Sequence, residues 1–171
     1  MPRYVAFLRG VSPQNAKMPE LKRCFEKAGF TDVRTVLSSG NVIFDARSAA
    51  EPSLERRAAS SMQDLLGRSF YTIVRQASHL RALVETDPYA AFSLPPNAKR
   101  VISFLRSPHD GKVEFPIKSD GACVLSMVGR EVFTAYVRSP RGPVFMTLIA
   151  NVFGVEVTTR TWETVKKCAA A

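Results

Sequence analysis

Near the N-terminus, residues 4–8 read YVAFL, five apolar residues in a row closed by Arg9-Gly10. A run without polar alternation predicts a strand buried on both faces, so the chain must supply cover for two sides of one sheet. The following segments do so. Pro19 suits a first helical turn; Leu21, Cys24, Phe25 and Ala28 recur at i, i+3, i+4 and i+7; and Gly29 with Phe30 stops the helix. Strands over 33–38 and 41–44 then form a hairpin, with Ser39-Gly40 or Gly40-Asn41 at its centre. Leu54, Ala58, Met62, Leu65 and Leu66 make a second helical stripe, with Arg56 and Arg57 on the opposite side, and residues 70–75 make a further strand. The order strand, helix, strand, strand, helix, strand is the ferredoxin-like pattern.

The second half reads differently. A helix with Ser78 as its N-cap is expected to run to about residue 84, ahead of the Pro-rich stretch TDPYAAFSLPPNAK. Strands are expected over 100–105, 113–115, 122–128 and 131–137. Gly129-Arg130 joins the last two as a type II′ turn, in which Gly takes the positive φ. After the loop RSPRGP comes an almost wholly apolar helix over 144–153, stopped by Gly154, and a short strand over 155–159. The last helix carries Trp162, Val165 and Ala169 on one face. The expected class is α+β, an N-terminal ferredoxin-like half joined to a C-terminal antiparallel sheet with helices. The boundaries fall at 1–76, 77–98 for the helix and Pro-rich linker, and 99–171.

In the ferredoxin-like arrangement the third strand lies antiparallel beside the first, so the end of one meets the start of the other. Arg9 and Gly10 are thereby expected at the same end of the sheet as Ser38, Ser39, Gly40 and Asn41. A guanidinium fork, hydroxyl and amide donors, and glycines that admit close backbone approach together suit an oxyanion such as phosphate or carboxylate. The same SSGN residues also suit an ordinary hairpin turn, and Arg9 also suits a strand end where its stem lies along apolar surface. Arg160, just ahead of the last helix, is a further anion contact or else a surface ion-pair partner. Arg138 and Arg141 flank the Pro-Gly loop as a basic rim or a solvated one.

Charge agrees with an anionic partner without naming it. The chain has 24 Lys and Arg against 15 Asp and Glu, a net +9, divided as an excess of five up to Gln76 and of four beyond it. An even spread with no basic run argues against a dedicated nucleic-acid arm but attracts anions diffusely. The three cysteines, Cys24, Cys123 and Cys168, are far apart and outside any CxxC, which suggests neither a disulfide framework nor zinc. No signal peptide or apolar span of membrane length is read, so a reducing cytoplasm is the expected setting and no membrane the expected partner.

His79 and His109 lack metal-ligand spacing, no phosphate-binding loop or nucleophile elbow occurs, and no general base adjoins Ser38 or Ser39. The strand GNVIFDA lacks the aromatic pattern that stacks RNA bases. No cofactor is expected. What remains is a binding module for a phosphate- or carboxylate-bearing ligand or nucleic acid. An enzyme on a small phosphorylated substrate, or a protein-interaction domain using a sheet edge, is the alternative.

Three separated motifs carry a resemblance. YVAFLRGVS, then MPELKRCFEKAGFTDVRTVLSSGNVIF, then TTRTWETVKKCA near the end resemble the bacterial DUF1697 family, whose function is unknown. The resemblance implies that Leu8-Arg9-Gly10, Ser39-Gly40-Asn41 and Thr159-Arg160 with Trp162 are family-motif positions, and supplies no activity. Where the family has glycines after the Arg-Gly strand end, this chain has Ser12-Pro13-Gln14-Asn15, which stiffens the loop. Where the family has Asn before the tryptophan, this chain has Thr161, which keeps a capping hydroxyl and loses an amide.

Overall fold

A computed structural model describes residues 1–171 as two compact units, Met1–Glu85 with Val165–Ala171, and Thr86–Thr164. Both contain an antiparallel sheet with helices, an α+β fold.

The first unit runs β1 (Arg3–Leu8), α1 (Met18–Lys27), β2 (Thr31–Val36), β3 (Asn41–Asp45), α2 (Glu51–Leu66), β4 (Thr72–Gln76) and α3 (Ala77–Thr86). Its sheet order is β2-β3-β1-β4, every pair antiparallel. As the apolar run predicts, β1 is central and Tyr4 to Leu8 are each 0% exposed. Tyr4, Ala6 and Leu8 join Val42, Phe44 and Val74 against the apolar stripes of α1 and α2. Tyr4, Phe25, Phe30 and Phe44 form a connected ring cluster with centroids 4.2–5.9 Å apart. Such offset contacts add to the area the rings bury.

Helix α1 begins as its sequence requires: Glu20 accepts the N–H of Lys17 at 3.1 Å, half of a capping box, and Pro19 sits in the first turn. Its far end is covered by Arg57, whose Nη2 donates to Ala28 O at 2.9 Å while the guanidinium stacks over Phe30. In α2 the buried stripe is Leu54, Glu55, Ala58, Ser61 and Met62; Leu65 in the last turn is exposed instead, as the helix leads out to a left-handed Gly67. Helix α3 follows β4 directly, so Ser78 lies inside the first turn and is not its N-cap. The Ser78 hydroxyl donates to the Gln76 side chain at 3.3 Å.

The second unit holds β5 (Lys99–Leu105), β6 (Ile117–Ser119), β7 (Ala122–Val128), β8 (Glu131–Tyr136), α4 (Val144–Phe153) and β9 (Val157–Thr161), in the sheet order β6-β7-β8-β5-β9. The strand expected over 113–115 is found at Ile117–Ser119 instead. The Asp120-Gly121 turn, with φ of +44° and +86°, sets Ser119 opposite Ala122 and so fixes which residues pair. Gly129 alone takes positive φ in the next hairpin, as a type II′ turn needs. The strand expected over 155–159 shifts to Val157–Thr161 because its partner β5 places Leu105 opposite Val157, leaving Val155 exposed. Helix α4 packs Ile149 onto Leu105, Val124, Val132 and Val157. Helix α5 (Trp162–Ala170) crosses the division between the units, and Trp162, Val165 and Ala169 are all buried, as their shared stripe predicts. No helix is long and apolar enough to cross a membrane.

Candidate functional site

The end of β1 and the start of β3 meet. Phe7 stands opposite Asn41, and one step further the N–H of Leu8 donates to Gly40 O at 2.9 Å. On the other side, the N–H of Arg9 donates to Tyr71 O at 2.9 Å, so the Arg9 backbone is held where three segments converge. Arg9, Gly10, Ser38 and Ser39 are exposed there, while Gly40 and Asn41 are buried.

The turn between β2 and β3 is longer than a two-residue hairpin. Val36 pairs with Asn41, and residues 37–40 form the connection, with positive φ at Leu37 (+61°) and Gly40 (+90°). Asn41 explains this geometry: its Nδ2 donates to Val36 O at 2.9 Å and to Ser39 Oγ at 3.0 Å, closing the turn from inside. The amide that the sequence offers as a ligand donor thus has an internal task. Gly40 has another. A Cβ at Gly40 would lie 3.0 Å from Val11 Cβ and 3.1 Å from Leu8 Cβ, so the turn sits against the outgoing loop only because the side chain is missing.

That outgoing loop is closed too. Asn15 Nδ2 donates to Gly10 O at 2.8 Å, and its Oδ1 accepts the N–H of Ser12 at 2.9 Å. Gly10 has φ of +83°, and a Cβ there would meet nothing within 4 Å, so its demand is conformational alone. The result is three exposed residues, Arg9, Ser38 and Ser39, on a framework of two internally hydrogen-bonded loops, with the Ser39 hydroxyl accepting from Asn41.

Arg160 belongs to the other unit. It lies on β9 opposite Ile102, half-buried, and its Nη1 donates to Thr159 O at 3.0 Å. Thr161 does cap α5: its Oγ1 accepts the N–H of Thr164 at 3.2 Å. Arg141 forms an ion pair with Asp120 at 3.1 Å, and Arg138 is exposed.

One charged cluster escaped the sequence reading. At the opposite end of the first sheet, Arg3 Nε donates to Asp45 Oδ1 at 2.8 Å and Nη2 to Asp32 Oδ2 at 2.5 Å. Hydrogen bonding by Arg3 holds the Asp45 carboxyl below its ordinary value, against the opposing effect of burial. Asp32 reaches Arg3 because it takes φ of +48° at a register shift in β2, which strand periodicity does not announce. No group of His, Cys, Asp and Glu is arranged to hold a metal ion, and all three cysteines are free thiols. Burial raises the pKa of Cys24 and Cys123, the opposite of an activated nucleophile.

Among solved structures, the chain is similar to the conserved bacterial protein SP0830 from Streptococcus pneumoniae. The TM-score is 0.69 at 16% identity, with 99% of this chain and 97% of that one covered. At that identity the likeness speaks for the fold. No curated protein matches the chain. The family described as a protein of unknown function, DUF1697, matches residues 1–133, which include the Arg-Gly strand end and the SSGN turn. The chain belongs to the DUF1697 family.

Proposed function

We propose that this protein is a bacterial, cytoplasmic binding module for an anionic ligand, a phosphate or carboxylate group or the backbone of a nucleic acid, held at the end of the first sheet. The observation that supports the reading is the Leu8–Gly40 backbone hydrogen bond, which sets Arg9 and the Ser38-Ser39 turn, all exposed residues, at one end of the sheet. Arg9 supplies the charge and a planar fork of donors, the serines supply directional O–H donors, and Gly10 leaves the backbone accessible. Gly40 and Asn41 act by shaping the turn. Arg160, engaged with its own strand, is a second anion contact only within its own unit. The chain's net +9 favours encounter with such ligands. Dispersed free thiols suit a reducing compartment.

The interaction-domain alternative has less support. The β4 edge is covered by two carboxylates from α2, and the β2 edge carries a register shift and the charged Arg34 and Asp32. Both devices discourage strand addition.

Thermal unfolding of wild type and Arg9→Ala against phosphate, nucleotides, sugar phosphates, short RNA and short DNA tests the reading. A ligand at 100 times its Kd stabilises the native state by about 2.7 kcal/mol. At least one compound is expected to raise the midpoint of the wild type and not of Arg9→Ala; equal responses from both proteins, or none from either, contradict the proposal.

A further inference from the structure

Beyond Leu8 the pairing of β1 with β4 continues by one more residue. Leu8 stands opposite Thr72, and the N–H of Arg9 donates to Tyr71 O at 2.9 Å, so Arg9 and Tyr71 are the next pair across the two strands. Strand alternation decides which way each side chain turns. Tyr4, Ala6 and Leu8 on one strand, and Phe70 and Val74 on the other, belong to the core under α1 and α2. Arg9 follows Leu8 and Tyr71 follows Phe70, so both turn to the opposite face of the sheet.

Ser39 reaches that face from the other neighbour of β1. Asn41 stands opposite Phe7, which alternation places on the same side as Arg9, and the Asn41 side chain donates to Ser39 Oγ at 3.0 Å. Ser39, Arg9 and Tyr71 thus follow one another across three adjacent strand ends, at a strand spacing of about 4.7–4.9 Å. Neighbours at that spacing are within reach of one small ligand.

Tyr71 is half-buried, and Arg9 and Ser39 are exposed. The row therefore offers a hydroxyl, a guanidinium and an aromatic ring side by side. A guanidinium suits a phosphate, and a tyrosine ring suits any nucleobase, because every base has a π-face. A sugar phosphate would use the guanidinium and leave the ring idle. We infer that the anion at Arg9 is the phosphate of a nucleotide whose base stacks on Tyr71; this rests on the Arg9 reading and adds the base to it.

Titration of the full chain with AMP and, separately, with ribose 5-phosphate, followed by NMR, isolates the contribution of the base. The wild type is expected to bind AMP at least about fivefold more tightly than ribose 5-phosphate, the lower end of base–aromatic stacking, and to shift the base protons of AMP upfield. Tyr71→Phe should keep this preference. Tyr71→Ala should remove it and leave ribose 5-phosphate at its wild-type affinity, whereas Arg9→Ala should weaken both ligands. Equal affinities of the wild type for the two ligands, or base protons that stay in place, would overturn the stacking and leave the Arg9 site standing. A Tyr71→Ala loss as large for ribose 5-phosphate as for AMP would make Tyr71 a support for Arg9 and overturn it too. Failure of both ligands to bind the wild type would overturn the inference together with the Arg9 reading beneath it.

Discussion

Glu55 Oε2 accepts the backbone N–H of Val74 at 2.8 Å, and one helical turn earlier Glu51 Oε2 accepts that of Gln76 at 3.1 Å. Strand β4 is an edge of its sheet, and these N–H groups point outward from it. Two carboxylates four residues apart on α2 thus match the two-residue repeat of outward N–H groups on an edge strand. Edge protection here is a property of helix spacing.

The two carboxylates differ in burial, and that sets the first prediction. Glu55 is 4% exposed whereas Glu51 is only half-buried. Glu55→Ala strands a buried N–H and should cost about 2–3 kcal/mol in urea unfolding. Glu51→Ala, whose partner N–H can turn to water, should cost less than about 1 kcal/mol. Equal losses would show that burial does not decide the cost.

Glycine positions in the two loops make a matched pair. Gly40→Ala meets both the positive φ and the 3.0 Å approach to Val11, and should destabilise by about 2–4 kcal/mol. Gly10→Ala meets the backbone cost alone, about 1–2 kcal/mol. Denaturant midpoints of the two variants check the difference; a Gly10→Ala loss as large as that of Gly40→Ala would contradict the packing account.

The depressed pKa of Asp45 makes a pH prediction with a definite sign. Because Arg3 favours the ionised form in the folded state, Asp45 stabilises the protein above its unfolded pKa of about 4. That contribution is lost as pH falls through the lower folded value. The stability gap between wild type and Asp45→Asn should hold steady from pH 7 to about 5 and narrow in more acid solution. A gap that widens below pH 4 would refute it.

Thr161 directly precedes α5, and its hydroxyl accepts the Thr164 N–H. Thr161→Val should cost about 1 kcal/mol, and Thr161→Asn, which restores a good N-cap, should recover most of it. Thermal unfolding of the pair decides this; a harmless Thr161→Val would remove the capping role.

Much of this architecture is legible in the chain because periodicity and punctuation agree. The unbroken 4–8 run, the stripe ending at Gly29 and the apolar helix stopped by Gly154 all fold as their patterns require. The misplacements have local causes. SDGA carries a type I′ turn whose two positive-φ residues decide the β6 register, so the strand forms next to that turn and the apolar positions of residues 113–115 stay outside it. Ser78 looks like an N-cap but follows a strand with no intervening residue to serve as one. At the candidate site, convergence follows from strand order, whereas the inward use of Asn41 depends on a four-residue turn that residue type alone does not specify.

The central claim, an anion held by Arg9 at the strand end, is tested most directly by amide NMR of the full chain titrated with inorganic phosphate. Saturable shifts at Arg9, Gly10, Ser38 and Ser39 are predicted, with affinity falling about tenfold or more in Arg9→Ala, since a hydrogen bond to a charged group contributes about 1.5–3 kcal/mol. Shifts that bypass these four residues, or an affinity unchanged by Arg9→Ala, would contradict it.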